Sequence, residues 1–387
     1  MGRRTFEGYV RPDGRSGVRN QLLILSVGHL TGPSARRIAR AIPGSRLVAM
    51  PYGSSLIGAD RALQMRAIVG MASHPNVGAV LMIGADGPKL KLIDQAIRAS
   101  GQSLVTLCLD DHGHDALTLS DRGLREGARL LREISRQRRQ SVPAASLLLG
   151  VECGRSDPSS GIVANPLIGR VVDRLVDEGG RAVFGETMEW LGAEHLLRLR
   201  GRTTAVGDAL AAAVLRRERL AIESGLDLLG NNPNPTNVAA GLSTIEEKSL
   251  GSIAKSGSRP IESLVGIGEA IDGPGLHAMD APSFSPESLT GFVASGAQLM
   301  LFSTGVGNSY VSALAPTIKL SANPEACQSL REQLDFDASA VTLGRTTPDE
   351  ATERLLDLCM EIASGSLTWG EVLDEGDEVL SRLGEAL

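Results

Sequence analysis

Aromatic residues, closely spaced cysteines and long apolar runs are all scarce in this chain of 387 residues. Phe, Trp and Tyr make up 3% of it, which argues against the aromatic platforms that stack single-stranded nucleic acid. No apolar run approaches the roughly 20 residues of a membrane span, so we expect no membrane partner. Neither a zinc ribbon nor a disulfide framework is indicated, because the four cysteines lie far apart, at Cys108, Cys153, Cys327 and Cys359.

Positive charge is also in short supply. Lys and Arg total 39 against 45 Asp and Glu, and the net charge of -6 argues against a general nucleic-acid binder. The first residues, Met-Gly-Arg-Arg-Thr-Phe-Glu, lack an apolar signal core, which predicts a cytoplasmic protein. Glycine is plentiful, with 45 residues, and this is typical of tight turns and of sites lined by backbone.

Strand-like and helix-like segments alternate along the first third of the chain. The strands are expected at residues 21–27, 46–50, 77–83 and 103–107, and the helices at 33–41, 59–72, 89–100 and 120–137. This alternation predicts the α/β class, with a doubly wound, mostly parallel sheet in the N-terminal domain. A basic segment closed by Pro143 marks the expected boundary. We therefore predict an N-terminal domain over 1–140 and a larger α/β catalytic region over 141–387, which could divide again near residue 235.

In the larger region, polar residues follow several predicted strands. Strands are expected at residues 146–151, 181–184, 298–303 and 316–321, with a helix at 165–178 and amphipathic helices over 349–387. Sites in such folds lie at the carboxyl ends of the strands. The groups at these ends are Glu152-Cys-Gly-Arg-Ser-Asp157, Gly185-Glu-Thr-Met-Glu-Trp-Leu-Gly-Ala-Glu-His195 and Thr304-Gly-Val-Gly-Asn-Ser309.

These strand-end groups offer several functional side chains. Thr304 and Asn308 flank two glycines and could form an anion-binding nest, although the spacing matches no nucleotide motif. Glu186 and His195 could exchange protons with a substrate, but a single His is more often packed in a core. Cys153 could likewise be a small hydrophobic residue rather than a functional thiol.

The opening block, Gly8-Tyr-Val-Arg-Pro-Asp-Gly-Arg-Ser-Gly-Val-Arg-Asn20, places three arginines directly before a strand. Arginine binds carboxylates with two parallel hydrogen bonds, so Arg15 and Arg19, with Asn20, could hold an acidic substrate. Structural ion pairs within this acidic protein are the alternative interpretation.

The stretch from residue 231 to 251 changes character halfway. Its first part, residues 231–237, contains two prolines and four asparagines, which predicts a rigid amide-rich loop that includes Asn232 and Asn234. Ser243 or Thr244 can then cap a helix in which Glu247 lies in the first turn and Lys248 about one turn inside. Such a loop and helix could hold a small polyhydroxylated anion, or could be a surface turn before an amphipathic helix.

In this order, the blocks resemble the altronate/galactarate dehydratase family, and most of all its shorter, sulfolactate sulfo-lyase-like members. The resemblance runs from Gly8 to about Gly370. Besides the opening block, the most specific segments are His74-Pro-Asn-Val-Gly-Ala79, Glu152-Cys-Gly-Arg-Ser-Asp157, Gly161-Ile-Val-Ala-Asn-Pro166, Glu189-Trp-Leu-Gly-Ala-Glu-His195, Asn232-Pro-Asn-Pro235, Glu247-Lys-Ser-Leu-Gly251 and Thr290-Gly-Phe-Val-Ala-Ser-Gly-Ala297.

This resemblance implies a hydro-lyase that converts a 2,3-dihydroxy carboxylate to a 2-keto-3-deoxy acid, usually with iron. Removing an α-proton and a poor leaving group needs a base, an acid and cationic stabilisation of the enediolate. A divalent metal, Fe²⁺ by resemblance, could polarise the carboxylate and the departing hydroxyl. We assign the roles as hypotheses: base, Lys248 or His195; acid or second base, Glu247 or Glu186; substrate binding, Arg15, Arg19, Asn20, Asn232, Asn234, Thr304 and Asn308.

The chain departs from the family pattern at three places. Met50-Pro-Tyr-Gly-Ser54 stands where the family usually has His-x-His-Gly-Cys, Asp86-Gly-Pro88 replaces a Gly-Cys-Glu turn, and Val306 replaces an arginine. The usual metal could therefore be lost, or could be held by Cys153 with an oxygen ligand such as Asp157. A C–S lyase, another paralogue with altered chemistry and a non-catalytic acid-binding subunit stay open as alternatives. The single-chain dehydratases carry an extra small N-terminal domain, so we also expect a small companion subunit, and a homo-oligomer.

Overall fold

A computed structural model of the chain describes residues 4–53, 56–228, 230 and 232–381. Ser54 of the departing Met50 block, Asn231 of the predicted amide-rich loop and the last six residues of the predicted helical tail lie outside the described residues. Within the described ranges, no helix is both long and apolar enough to cross a membrane.

The first 143 residues contain seven strands and four α-helices among those described. The strands are β1 Thr5–Val10, β2 Ser16–Gly17, β3 Gln21–Val27, β4 Ser45–Met50, β5 Val77–Gly84, β6 Ser103–Cys108 and β7 Gln140–Pro143. The helices are α1 Gly32–Ala41, α2 Gly58–Ala72, α3 Gly87–Arg98 and α4 Ala116–Ile134.

Four of these strands form a parallel sheet in the order β4-β3-β5-β6. Strand β3 is apolar and buried throughout, as expected for a strand covered on both faces. Leu22 and Ile24 pack with α1 and α4, whereas Leu23 and Leu25 pack with α2 and α3, because alternate side chains of a strand point to opposite faces. The predicted α/β class and doubly wound parallel sheet are confirmed.

The remaining residues contain nine strands and ten α-helices in the described part. The strands are β8 Leu148–Cys153, β9 Arg181–Phe184, β10 Ile261–Gly266, β11 Gly275–Asp280, β12 Leu299–Ser303, β13 Val311–Ser312, β14 Thr317–Ser321, β15 Phe336–Asp337 and β16 Gly376–Asp377. The helices are α5 Asn165–Asp177, α6 Glu194–Arg200, α7 Thr204–Glu223, α8 Pro235–Ala239, α9 Ile245–Ile253, α10 Ser285–Ala294, α11 Pro324–Ser329, α12 Ser339–Thr342, α13 Pro348–Ala363 and α14 Trp369–Val372.

Seven of these strands form a second parallel sheet, in the order β10-β11-β9-β8-β12-β14-β15. Strands β8 and β9 are hydrogen-bonded neighbours near its centre. Their carboxyl ends therefore lie side by side, and every side chain of β8 is buried. This edge of the sheet is where the polar strand-end groups meet.

The two large sheets share one apolar core through α2 and α10. Met71 and Val80 belong to the same buried cluster as Phe292 and Met300. The two helices approach so closely that a side chain at Gly70 would collide with the carbonyl oxygen of Ala294. The division of the chain into domains near residue 140 stays a prediction.

The prediction of a loop over the whole of residues 231–237 is wrong in its second half, where α8 begins at Pro235. Proline has no backbone N–H, but the first residue of a helix donates no hydrogen bond within the helix. Proline is therefore well suited to that position. Asn234 caps the helix by accepting from the backbone N–H of Asn237 at 3.0 Å, and the Asn237 side chain accepts in return from the N–H of Asn234 at 3.1 Å. The asparagines therefore begin a helix instead of preventing one.

Candidate active site

A group of buried charged side chains lies at the carboxyl edge of the seven-stranded sheet. Strand β8 ends with Glu152 and Cys153, and Glu186 follows the neighbouring strand β9. Glu189 comes from the turn of 3₁₀-helix that begins directly after Glu186. The parallel order of the sheet brings these residues together, and Glu152, Cys153, Glu186 and Glu189 are all buried.

Helix α9 supplies the positive charges. Thr244 caps it by accepting from the backbone N–H of Glu247 at 3.1 Å, as the sequence predicts. Lys248, Ser252 and Lys255, the last in the short 3₁₀ turn that continues the helix, are spaced by four and three residues. This spacing places them on one face, and that face is buried against the acidic residues.

The first ion pair joins Lys248 and Glu189. The Lys248 ammonium contacts Oε1 of Glu189, and the hydroxyl of Ser252 donates to Oε2 of the same carboxylate at 3.0 Å. Burial alone would raise the pKa of Glu189, but Lys248 and Lys255 outweigh it and lower that pKa. Burial likewise opposes the charge on Lys248, yet Glu189 and the other acidic groups raise the pKa of Lys248 above its usual value. Lys248 is therefore an ammonium ion at neutral pH.

The second positive charge, Lys255, is held by several partners. Its Nζ lies 2.8 Å from Oε1 of Glu152, 3.2 Å from Sγ of Cys153 and 2.8 Å from Oγ of Ser252. A second Glu152 oxygen accepts from the Ser288 hydroxyl at 2.7 Å. Burial opposes the charge on Lys255, but the surrounding acidic groups, Cys153 and Glu152 first, raise its pKa well above the usual value.

Glu186 differs from the other two carboxylates. Burial, with Glu152 and Glu189 nearby, raises the pKa of Glu186 well above the usual value, which favours its protonated form. Its Oε1 accepts from Ser285 at 2.9 Å, whereas Oε2 is buried without a hydrogen bond to any described residue, 3.8 Å from the Lys255 ammonium. Its backbone has a φ of 65°, a left-handed conformation that a non-glycine residue rarely adopts and that is common in functional sites.

The same edge offers a set of metal-ligand atoms. Glu152, Cys153 and Glu186 each contribute one such atom, all within 4.8 Å of one another, so this group could hold a metal ion. Carboxylate oxygen and thiolate sulfur are suitable ligands for a divalent transition metal. The Lys255 ammonium, however, lies against these same side chains and already forms an ion pair with Glu152. A metal does not fit beside the ammonium as the residues are arranged.

The predicted metal ligand Asp157 lies in the turn after β8, and both of its carboxylate oxygens are already hydrogen-bonded. Its Oδ1 accepts from the Ser159 and Ser160 hydroxyls at 2.8 and 2.9 Å, and its Oδ2 accepts from Asn323 at 2.9 Å. These bonds fix the turn between β8 and the π-helical segment that follows it. Of the two predicted ligands, Cys153 belongs to the buried group, and the role of Asp157 as a metal ligand stays a prediction.

The predicted substrate-binding residues of the opening block are engaged elsewhere. All five N–H donors of Arg19 are used, by both Glu371 oxygens and by the backbone carbonyls of Val18, Ile362 and Ser366. Arg15 pairs with Asp13 and donates to the Ser73 carbonyl at 2.6 Å. Asn20 donates to the Ile134 carbonyl and accepts from Arg11. These contacts support the alternative that the block ties segments of the protein together.

The amide-rich segment does approach the buried group. Asn232 donates to the carbonyl of Met188, next to Glu189, at 3.2 Å. The neighbouring Asn237 donates to the carbonyl of Ser156 at 2.8 Å, whereas Asn234 serves as the α8 cap. The amide-rich segment thus forms hydrogen bonds with both the turn after β8 and the turn after β9.

The glycine-rich turn after β12 also lies at this edge of the sheet. The Thr304 hydroxyl accepts from the backbone N–H of Gly307 at 3.0 Å, and Asn308 accepts from the N–H of Tyr310 at 3.0 Å. A side chain at Gly154, directly after Cys153, would meet Nδ2 of Asn308 at 2.8 Å. The turns after β8 and β12 are therefore in contact, as their parallel order predicts.

The two other predicted catalytic residues are exposed. His195 lies in the first turn of α6 and lines a surface groove with Arg198, Thr203 and Asp208. Glu247 accepts from the backbone N–H and hydroxyl of Ser243 and so completes the cap of α9. Their catalytic roles stay predictions, and of the four predicted catalytic residues it is Lys248 and Glu186 that the buried group contains.

Sequence reasoning missed several residues of this group. Lys255 and Ser252 could have been found from their spacing to Lys248, which is helical and places all three on one face. Glu152 and Glu189 are part of recognised motifs, but the residues next to them in sequence do not indicate that they pair with Lys255 and Lys248. The serines of α10 come from more than 130 residues away from Glu152 in sequence, and only the folded chain brings them close. The missed residues are Glu152, Glu189, Ser252, Lys255, Ser285 and Ser288.

Comparison with known proteins places this arrangement in a family. The family domain described as "D-galactarate/Altronate dehydratase, C-terminal" matches residues 144–386, and "D-galactarate dehydratase/Altronate hydrolase, second domain" matches residues 8–135. The chain is 35% identical over 393 residues to the (2R)-sulfolactate sulfo-lyase subunit beta of Chromohalobacter salexigens, a match that covers 99% of this chain and 98% of that protein.

Two sugar-acid dehydratases of Escherichia coli (strain K12) are also similar. Altronate dehydratase is 31% identical over 397 residues, which cover 99% of this chain and 79% of that protein. Galactarate dehydratase (L-threo-forming) is 30% identical over 383 residues, which cover 93% of this chain and 73% of that protein. The chain belongs to the altronate/galactarate dehydratase family, a family of lyases that includes sugar-acid dehydratases and a sulfo-lyase subunit.

Proposed function

We propose that this protein is a hydro-lyase that removes water from a small hydroxy carboxylate of the sugar-acid class and forms a 2-keto-3-deoxy acid. The observation that supports this proposal most is Glu186, a buried carboxyl group whose pKa is raised well above the usual value and whose Oε2 has no hydrogen bond to any described residue. Hydroxide is a poor leaving group, so its departure needs a proton donor. Glu186 is suited to that role and lies among the charges that the rest of the reaction needs.

The Lys248 ammonium is the proposed binding group for the substrate carboxylate. Lys248 and Glu189 are 6% and 7% exposed, more than Glu152 and Lys255 at 0%, so the substrate would approach from the side of the Lys248 pair. An ammonium at the carboxylate makes the neighbouring α-proton more acidic, because it stabilises the enediolate that forms when this proton leaves. Because the pKa of Lys248 is raised, we assign it this cationic role in place of the base predicted from sequence.

Glu189 is the proposed base. In the free protein its Oε1 contacts Lys248 and its Oε2 accepts from Ser252. A substrate carboxylate at Lys248 would compete for the ammonium and so weaken the contact that keeps the pKa of Glu189 low. Substrate binding would therefore make Glu189 a stronger base at the moment when it is needed.

The proposed reaction balances without a further reactant. Glu189 takes the α-proton, the α-carbon forms a double bond to the β-carbon, and the β C–O bond breaks as Glu186 gives its proton to the leaving hydroxyl. Water leaves, and the enol product rearranges to the 2-keto-3-deoxy acid. The iron expected by resemblance is not needed for any of these steps.

A C–S lyase is the second candidate, and one observation favours it. The sulfo-lyase subunit beta matches over 98% of its own length, more than the 79% of altronate dehydratase. In this reaction the β C–S bond would break and its electron pair would leave with sulfite, which needs no proton from Glu186. The two candidates share the roles of Lys248 and Glu189 and differ in their dependence on Glu186.

We also propose that a small companion subunit binds beside the site. The relative that matches over nearly its full length is by name a subunit beta. Three exposed apolar residues, Ile162, Val238 and Leu250, are 76%, 50% and 50% exposed. The segments that carry them are neighbours beside the buried charged group. A side chain at Gly251 would meet Gly161 at 2.9 Å, and one at Gly241 would meet Pro158 at 3.3 Å.

A substrate panel tests the proposed function. The purified chain would be incubated with altronate, galactarate and (2R)-sulfolactate, with and without the product of any short neighbouring reading frame, while keto acid and sulfite are measured separately. Keto acid without sulfite supports the hydro-lyase, and keto acid with equimolar sulfite supports the C–S lyase. Saturable binding of these acids without any product would overturn both and leave a non-catalytic acid-binding subunit.

A further inference from the structure

We infer that the Lys255 ammonium occupies the cation position of the Glu152, Cys153 and Glu186 group and excludes a divalent metal from it. Nζ lies 2.8 Å from Glu152, 3.2 Å from Cys153 and 3.8 Å from Glu186. Lysine thus takes the place among the ligand atoms that an ion would need. The inference concerns binding to the free protein and does not depend on which reaction the protein catalyses.

The distances leave no room for both cations. Metal ions bind carboxylate oxygen at about 2.0–2.2 Å and thiolate sulfur at about 2.3 Å. Since the three ligand atoms lie within 4.8 Å of one another, an ion bound to them would lie between them, where Nζ already is. Two positive charges a few ångströms apart in a buried site repel each other strongly. A metal would therefore have to displace Lys255.

The surrounding backbone resists that displacement. Lys255 has no exposed surface, and a side chain at Gly169 would collide with the carbonyl oxygen of Ala254, so α5 presses directly on this turn. Arg200 holds the other side, with donations to the hydroxyl and carbonyl of Ser256 at 2.8 and 3.2 Å. The turn that carries Lys255 is fixed between these contacts, and the lysine itself is fully buried.

The charges also favour lysine as the resident cation. Lys248 pairs with Glu189 and Lys255 pairs with Glu152, so two of the three buried carboxylates already face an ammonium. A divalent ion added to this group would leave excess positive charge in a buried site, which is costly. Replacing Lys255 with a neutral residue would leave Glu152 and Cys153 without the ammonium that they contact. The structure therefore assigns to Lys255 the exclusion of metal as well as the neutralisation of charge.

Metal binding to wild-type protein and to Lys255→Met tests this assignment. Protein purified without oxygen would be analysed for metal content and then titrated with Co²⁺, whose charge-transfer absorption reports a bond to thiolate. We expect wild-type protein to contain well under about 0.1 equivalent of metal and to give no such absorption. Lys255→Met should gain about one equivalent of Co²⁺ together with the absorption, since carboxylate and thiolate ligands are left free.

Three further variants complete the test: Lys319→Met, Cys153→Ser and the double variant that combines Cys153→Ser with Lys255→Met. Lys319→Met removes a lysine that is 1% exposed and donates to the Ser309 carbonyl at 2.9 Å, and it should behave as wild type. Adding Cys153→Ser to Lys255→Met should abolish the absorption. Stoichiometric metal in wild-type protein that is lost in Cys153→Ser would overturn the inference, and this result does not require the Lys255 variant to fold. A folded Lys255→Met without Co²⁺ binding would also overturn it, whereas loss of lyase activity alone bears on the proposed function.

Discussion

At the scale of single residues, the buried charges are costly to the fold. Removing an ion pair from water costs several kcal/mol per ion, and the attraction between the partners often does no more than offset this. Lys255 and Glu152 have no exposed surface, and Glu186 adds a strained left-handed backbone. Apolar residues of similar volume would stabilise the protein as well or better. Their arrangement is therefore better explained by chemistry than by stability.

Lys248 provides a direct test at this scale. Lys248→Met keeps the length of the side chain but removes the charge proposed to bind the substrate carboxylate, so we expect kcat/KM to fall by about 10²-fold or more. Lys319→Met, another buried lysine, should retain wild-type activity. The comparison would be made by steady-state kinetics with the fold checked by circular dichroism, and wild-type turnover in Lys248→Met would remove this lysine from the mechanism.

Sequence reasoning succeeded at residues that carry a local signal. Lys248 follows a recognisable helix cap, and Glu186 follows a predicted strand, so both could be proposed before the fold was known. Arg19 could not be assigned in this way, because its five hydrogen bonds go to residues at 18 and beyond 360. An arginine that clamps backbone and one that clamps substrate look the same in a sequence.

At the scale of elements, the position of α9 decides whether the site forms. The helix packs closely on the π-helical segment Ser160–Ala164, and the Asn165 side chain donates to the Gly251 carbonyl at 2.8 Å. Gly251 lies between Lys248 and Ser252, and its lack of a side chain permits this approach. The glycine therefore sets how near the lysines come to the acidic residues.

Gly251→Ala should move α9 away from the π-helical segment Ser160–Ala164. The added Cβ would lie 2.9 Å from the Cα of Gly161, which is too close, so α9 must shift. We expect a loss of about 1–3 kcal/mol in the free energy of unfolding and a fall in activity. Gly87→Ala, at a helical glycine where the nearest atom is Sγ of Cys108 at 4.0 Å, is the matched control. Denaturant unfolding would check this, and equal stability of the two variants would contradict it.

The elements of the sheets could be predicted because apolar runs and turn residues mark them locally. The predicted central strands agree with the structure to within about two residues, whereas the start of α8 is predicted as loop because Pro233 and Pro235 are read as helix breakers. Position decides the effect of proline, since Pro235 is harmless as the first residue of α8. The pairing of α10 with α2 could not be inferred, because these helices are far apart in sequence.

At the scale of the whole molecule, the C-terminal segment ties back to the core through Glu378. Its carboxylate accepts from the Ser312 hydroxyl at 2.5 Å, from the Thr290 hydroxyl at 2.8 Å and from the backbone N–H of Leu314 at 3.2 Å. Burial nevertheless raises the pKa of Glu378 to about 7. The folded protein therefore binds this proton more tightly than the unfolded chain does.

This raised pKa predicts that stability falls as the pH rises. The unfolded chain releases the proton near its usual pKa of about 4.5, so the folded state loses relative stability between about pH 4.5 and about pH 7. The loss from Glu378 should approach about 3 kcal/mol. Glu378→Gln stays neutral and should lack this part of the pH dependence, as measured by denaturant unfolding at about pH 5 and pH 8. Parallel pH profiles for wild type and Glu378→Gln would contradict the prediction.

The central claim, that Glu186 protonates a leaving hydroxyl, is tested most directly by the rate of the Glu186→Gln variant on the best hydroxy acid of the substrate panel. Glutamine keeps the shape and the Ser285 contact but has no acidic proton. We predict that kcat falls by about 10²-fold or more in Glu186→Gln, while Glu378→Gln, at a half-buried carboxyl group in the C-terminal segment, stays within about twofold of wild type. A folded Glu186→Gln that produces keto acid at the wild-type rate would contradict the proposed mechanism.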